Sequence, residues 1–147
     1  MHMIRPYYET AQDRSNEQAL ARIIEHHYRC QLTKMPIKLQ LDYMATRDGK
    51  AVAFVEMRHR RNEMGAFPTY MVGLHKCLMA KQLTLVTGLP SMLAVRWADA
   101  VGITKLPPDE MDVQLGGTVR RGDAQDIEPM VYFDVNKFRV LEVPSGL

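Results

Sequence analysis

The tetrapeptide Arg47-Asp48-Gly49-Lys50 constrains the fold of this chain more than any other stretch. Asp-Gly is a dipeptide of tight hairpin turns, because both residues tolerate the positive φ that such turns require. On its N-terminal side, residues 37–44 read as a strand, with Leu39, Leu41 and Tyr43 on one face and Gln40 and Asp42 on the other. On its C-terminal side, Ala51 to Val55 form an apolar strand that runs into Glu56 and Arg58. The turn makes 37–44 and 51–58 antiparallel neighbours, which brings Asp42 close to Glu56. Residues two apart on a strand share a face, so Glu56 and Arg58 project with Val52 and Phe54.

Helical patterning precedes and follows this hairpin. Ser15 and Gln18 have capping-box spacing, and Leu20, Ala21, Ile23 and Ile24 supply an apolar stripe, so a helix is expected from Ser15 to about Tyr28. Glu17 stands three and seven positions before Leu20 and Ile24 and falls on the buried side of that helix. Pro68 marks the expected start of a second helix over Tyr70 to Gln82, apolar around most of its circumference. Lys76 is a lone charge there among Val72, Gly73, Met79 and Ala80. Leu83 to Thr87 and Met92 to Trp97 read as further strands, and a turn at Asp99 to Gly102 leads to a strand over Ile103 to Leu106. Turn-forming and acidic residues dominate from Pro107 to Pro129, and the apolar stretches Met130 to Phe133 and Phe138 to Val143 dock the tail.

A chain of 147 residues, 46% hydrophobic and 24% charged, matches one domain with one core. Its net charge of +2 is too mild to demand nucleic acid, but basic side chains concentrate at Arg58, His59, Arg60 and Arg61 and again at Arg120 and Arg121. Cys30 and Cys77, with no leader pattern and no apolar run near the ~18 residues of a membrane span, fit a reducing cytoplasm. His2 in the opening Met-His-Met is given no role.

Two carboxylates converging at one end of a sheet repel each other and are costly to desolvate, and a cation between them offsets both effects. A hard divalent ion such as Mg²⁺ suits their oxygens and can activate a water against a phosphodiester. Structural roles are open for the same residues. Glu17 near a helix N-terminus gains ~0.3 to 1 kcal/mol from the dipole, and Asp42 and Glu56 could pair across strands with Arg58 and Lys38 for ~0.2 to 1 kcal/mol per pair. His26, His27 and Cys30 lack a second ligand pair at zinc-site spacing. Gly116-Gly117 lacks the lysine and helix of a phosphate loop, and Ser91 lacks a nucleophile-elbow motif.

The order of Glu17 on a first helix, Asp42 on a strand, a turn, then "VEMR" on the next strand and a helix after it resembles the PD-(D/E)xK nuclease superfamily. That superfamily includes restriction enzymes, Holliday-junction resolvases and phage nucleases. The resemblance implies an α/β, restriction-endonuclease-like fold with an α-β-β-β-α-β core and a mixed central sheet flanked by helices. The expected core covers about residues 15–106 of a single domain over 1–147, with a β-rich C-terminal extension over 107–147. It implies Asp42, Glu56 and the Met57 carbonyl as ligands to Mg²⁺ or Mn²⁺, with Glu17 as an outer or second-metal carboxylate. Arg58 and Lys76 complete the catalytic set, and Arg58, Arg60, Arg61, Tyr70 and Lys76 would meet DNA, with His75 near the same groove.

The sequence departs from the superfamily in one respect. Lysine normally stands two residues after the glutamate, and here that residue is Arg58. Arginine is planar, weakly hydrated and never deprotonated, so it keeps the charge without the compact ammonium. Three readings follow: Arg58 serves as the electrostatic stabiliser, Lys76 takes the role from the second helix, or the site is catalytically silent. The expected function is a small metal-dependent nuclease of phage or mobile-element origin, acting on DNA in the host cytoplasm and plausibly as a homodimer. The alternative is an inactive nuclease fold that binds DNA or a protein partner.

Overall fold

A computed structural model describes residues 11–39, 41–117 and 127–147 of the chain. Helix α1 (Ala11–Tyr28) leads into β1 (Gln31–Lys34), β2 (Tyr43–Arg47) and β3 (Lys50–His59). Then come β4 (Thr69–Gly73), α2 (Leu74–Thr87), β5 (Ser91–Arg96), β6 (Val101–Lys105), β7 (Asp112–Gly117), β8 (Ile127–Asp134) and β9 (Arg139–Leu141). The larger sheet has the order β1-β2-β3-β5-β6-β9 and the smaller β4-β8-β7. Strands β3 and β5 are parallel, and every other pair in the larger sheet is antiparallel. A parallel neighbour needs a long crossover, and α2 lies within the one that connects them. The expected mixed sheet and the order α-β-β-β-α-β are present as α1, β1, β2, β3, α2 and β5, with β4 diverted into the smaller sheet.

The hairpin forms at its predicted turn. Asp48 and Gly49 both adopt positive φ, 52° and 75°, the backbone that makes a two-residue connection compatible with strand twist. Tyr43 pairs with Val55 and Arg47 with Lys50, with a bulge between Ala45 and Thr46. One residue beyond this register Asp42 lies beside Glu56.

Alternation along β3 divides the interior in two. Val55 and Met57 join the α1 stripe of Leu20, Ala21, Ile23 and Ile24, together with Ala94, Val101 and Ile103. Phe54 faces the other way, into Cys77 and Ala80 of α2, Val72 of β4, and Val131 and Phe133 of β8. Ile23 is fully buried, a state favoured by about 1.5–3 kcal/mol for such a side chain. Glu56 shares the Phe54 face, so its carboxylate enters the side of the sheet that α2 and the smaller sheet cover.

Several expected elements differ. Residues 37–44 are not one strand: a 3₁₀ turn over Ile37–Leu39 follows Pro36, and the strand begins only at Tyr43. The loop is closed by Met35 N–H donating to the Asp42 carbonyl at 2.8 Å and Leu39 N–H to that of Pro36 at 3.0 Å. The strand Gln31–Lys34 was not anticipated, because it is an edge strand with mostly exposed side chains and no apolar period. Residues 69–73 form a strand rather than the start of the second helix; Tyr70 and Val72 turn inward and pair with Phe133 and Val131. Leu83 to Thr87 close α2 instead of forming a strand. The helix ends at Gly88, whose φ of 75° lets its N–H reach the Thr84 carbonyl at 2.8 Å. Within Pro107 to Pro129, read as turns, Asp112–Gly117 is a strand. Met130 to Phe133 lies in β8, and β9 pairs with β6 at the edge of the larger sheet. Arg120, Arg121, Gln40 and His2 lie outside the described residues.

Candidate active site

Asp42 stands just before β2, and its two oxygens are engaged in different directions. Oδ2 accepts the Met57 N–H at 2.8 Å, and Oδ1 lies 3.4 Å from Lys34 Nζ. Lys34 ends β1 opposite Tyr43, and its ammonium also pairs with Glu17 of α1. Glu17 therefore faces the sheet as its helical position predicts, and Lys34 links it to Asp42. Among the described residues the expected cross-strand pairs of Asp42 and Glu56 with Arg58 and Lys38 do not form: the cation beside Asp42 is Lys34, and Arg58 pairs with Glu56 on its own strand.

Glu56 is the most deeply buried acid, 2% exposed. Its Oε2 lies 2.7 Å from Nη2 of Arg58 and 3.4 Å from Nζ of Lys76. Strand pleating brings Arg58 to the same face two residues on, and Lys76 reaches down from the first turn of α2. Burial pushes the Glu56 carboxyl up to about 7, with Arg58 and Lys76 opposing the rise and the charge of Asp42 adding to it. Titration at neutral pH makes this group responsive to any added positive charge.

Tyr70 and Arg60 form a second layer. Tyr70 is buried, and its hydroxyl and the Nε of Arg58 both lack a hydrogen-bond partner among the described residues. The Arg60 guanidinium lies over the Tyr70 ring, 4.7 Å from its centroid. Burial raises the Tyr70 hydroxyl, and the Arg58 and Arg60 charges oppose that shift. Exposed Arg61 is carried just past the end of β3. His75 lies 3.8 Å from Glu128 of β8. A Cβ at Gly73 would approach the His75 ring to 2.7 Å and Glu128 to 3.1 Å, so a larger residue at this strand-to-helix junction would displace those two side chains.

The structure thus gathers Asp42, Glu56, Met57, Arg58, Lys76 and Tyr70, and joins Glu17 to them through Lys34. Arg61 is not drawn into this set. Sequence reading missed Lys34, whose short polar strand carries no period, and Glu128, which sits in a stretch read as turns. Among the described residues no three His, Cys, Asp or Glu side chains converge; Lys34 stands between Glu17 and Asp42, while Arg58 and Lys76 hold Glu56. The donor chemistry nevertheless fits a hard divalent cation. Two carboxylates stand close enough for the negative field of Asp42 to raise Glu56, an effect that an added cation would reverse.

One acid just before β2 and another on its antiparallel neighbour β3, basic groups from β3 and from the following helix, and a mixed sheet of this order define a restriction-endonuclease-like protein of the PD-(D/E)xK type. The family described as "Phage putative PDDEXK endonuclease" matches residues 3–141, and the chain belongs to that nuclease family. Among solved structures it is similar to Hjc, a Holliday junction resolvase from the archaeal hyperthermophile Archaeoglobus fulgidus. That similarity has a TM-score of 0.54 at 11% identity, over 86% of this chain and 90% of the resolvase, and is a likeness of fold. A comparison with curated proteins returns no match.

Proposed function

We propose that this protein is a divalent-metal-dependent endonuclease acting on DNA, with Lys76 supplying the ammonium that Arg58 cannot. The carrying observation is that Lys76 Nζ and Arg58 Nη2 both approach Glu56 Oε2, at 3.4 and 2.7 Å. The motif position and the helix thus deliver two cations to one carboxylate, and their roles separate. Arg58 neutralises Glu56 and anchors it on β3. Lys76 is a compact, mobile cation on the rim of the same group, suited to orienting a water and to offsetting charge on a phosphate.

Asp42 and Glu56 would hold Mg²⁺ or Mn²⁺ with the Met57 carbonyl, and Glu17 would act from the outer position. The bound ion would lower the pKa of a water and polarise the phosphoryl oxygen. Asp42 is prepared for this by the Met57 N–H, which fixes one oxygen. Glu56 must be deprotonated to serve, and the two cations beside it favour that form. Arg60 and Arg61 lie just past the end of β3 and would follow the DNA backbone, where basic groups set affinity and register. Tyr70, expected to meet DNA, is buried and would act only through the Arg60 guanidinium that lies over its ring. Family membership supports a phage or mobile-element origin; on that reading the protein would act in the host cytoplasm, and a pair of such sites in a homodimer would cut two strands.

A second reading has its own observation. Glu17, Asp42 and Glu56 face Lys34, Arg58 and Lys76, a set that is balanced without any metal. Such a site would bind DNA or a protein partner and cut nothing. Nicking of plasmid, branched and single-stranded DNA in Mg²⁺ or Mn²⁺ separates the two. The enzyme reading requires cleavage that is lost in Asp42→Ala, Glu56→Ala and Lys76→Met; DNA retention without any cleavage by the wild type establishes the silent binder.

A further inference from the structure

The connection between β3 and β4 carries a large aromatic that the core does not use. Phe67 is 61% exposed, although the segment that bears it is fastened along its length. Ala98 N–H donates to the Asn62 carbonyl at 3.0 Å, and Met64 N–H to Asp99 Oδ1 at 2.8 Å. Ala66 N–H donates to the Glu63 carbonyl at 3.1 Å, and Val135 N–H to that of Pro68 at 3.1 Å. These bonds fix the segment to the β5–β6 turn at one end and to the region after β8 at the other. A loop so held fixes the backbone that carries the phenyl ring, so little main-chain ordering remains to be lost when a partner binds.

The surroundings favour a polyanion over an apolar surface. Arg58, His59, Arg60 and Arg61 precede the segment within nine residues of Phe67. Arg60 stacks on Tyr70, three residues after Phe67. Phe67 has extended backbone, φ −134° and ψ 147°, so at ~3.3 Å per residue its Cα is at most about 10 Å from that of Tyr70. The flanking Ala66, Pro68 and Thr69 are also exposed but small or polar. One exposed aromatic within about 10 Å, Cα to Cα, of the Tyr70 on which Arg60 stacks, and flanked in sequence by small or polar residues, has the chemistry that stacks on a nucleobase while cations meet the phosphates.

We propose that Phe67 is a stacking platform for an unpaired base, so that the substrate is DNA with a splayed nucleotide beside the cut: a fork, flap, junction or single strand. The inference rests on the DNA reading of the acidic site above and adds the substrate structure. Bases inside an intact duplex are already stacked on their neighbours, so the platform gains nothing from them. Base–aromatic stacking is tolerant of sequence, which makes the discrimination one of DNA structure.

The test measures binding of the full chain by fluorescence anisotropy, in EDTA so that no strand is cut. Forked DNA, a single strand and a blunt duplex of matched sequence are compared for wild type, Phe67→Ala and Phe67→Trp. The proposal expects Phe67→Ala to weaken fork and single-strand binding by about 5- to 100-fold, with duplex affinity unchanged and with Phe67→Trp near wild type. A 2-aminopurine at the branch should be quenched by wild type and not by Phe67→Ala. Equal losses on all three DNAs, or none, overturn the proposal while leaving the DNA reading intact. A change in sedimentation of the free protein on Phe67→Ala, with DNA preference unaltered, also overturns it and assigns the ring to a protein contact. Failure of wild type to retain any of the three DNAs defeats the DNA reading itself, and the stacking role with it.

Discussion

The Asp42 carboxylate accepts the Met57 backbone N–H at 2.8 Å, so a side chain, not a ladder bond, fastens the start of β2 to β3 next to Glu56. This latch sets the position of one acid relative to the strand that carries the other. Asp42→Ala leaves the Met57 N–H without its acceptor, at a cost of about 1–3 kcal/mol. Asp42→Asn keeps an acceptor oxygen and should lose less than half as much stability, while removing the charge. Urea unfolding of the two variants checks this, and equal destabilisation would show that the hydrogen bond is not the term that matters.

Lys76 and Arg58 divide one carboxylate between them, and exchange of their roles can be measured. Lys76→Met should lower the single-turnover cleavage rate by about 10²–10³-fold, the usual effect of removing one preorganised charge from a transition state. Restoring lysine at the motif position in the double variant Arg58→Lys/Lys76→Met should recover a substantial part of that loss. A Lys76→Met variant that cleaves at the wild-type rate eliminates the helix-borne lysine from the mechanism.

Stability should depend on the protonation of Glu56 with a definite sign. Its folded pKa is raised from 4.5 to about 7, so folding favours the protonated form. The resulting stability is fully present below about pH 4.5 and is lost as pH rises through about 7. At 1.36 kcal/mol per unit the difference is about 3 kcal/mol. Glu56→Gln mimics the protonated group, and at pH 8 it should be more stable than wild type by roughly 2 to 3 kcal/mol, with little gain at pH 4. A Gln variant less stable than wild type at pH 8 would contradict this assignment. Metal binding should show the opposite trend, and cleavage at subsaturating metal should fall as pH drops below about 7, because a protonated Glu56 is a poor ligand and the proton competes with the ion.

Lys34 places a positive charge between Glu17 and Asp42. A divalent ion entering that side of the site competes with it. Lys34→Met should therefore tighten Mn²⁺ binding, measured by calorimetry without DNA, and Lys34→Arg should not. Unaltered affinity in Lys34→Met would place the ion away from Asp42.

Much of the fold was legible in local pattern. Asp48-Gly49 encodes its turn through positive φ, Leu20, Ile23 and Ile24 mark the buried side of α1, and strand alternation puts Glu56 and Arg58 on one face. Such signals need only near neighbours in sequence, and they sufficed for the hairpin and the family resemblance, while the bulge at Ala45 and Thr46 that brings Asp42 to Glu56 carried no local signal. Elsewhere local pattern was ambiguous. Thr69 to Gly73 is as apolar as the helix it precedes, and its strand conformation follows from pairing with β8, some sixty residues later in the chain. Leu83 to Thr87 has strand-like composition but remains helical until Gly88 supplies the left-handed stop.

The sequence by itself determined that a hairpin joins the two acid-bearing segments, because Asp48-Gly49 encodes its turn, whereas the bulge between Ala45 and Thr46 that shifts the register by one residue and sets Asp42 beside Glu56 belongs to the folded sheet. Only the tertiary structure decided which cations answer them. Lys34 comes to Asp42 across an edge strand with no periodic signal, and Lys76 comes to Glu56 from a helix 20 residues away. Long side chains choose their partners by proximity after packing, and that proximity arises from the crossover of α2 over the sheet. The same packing left Phe67 outside the core while fastening the chain on both sides of it.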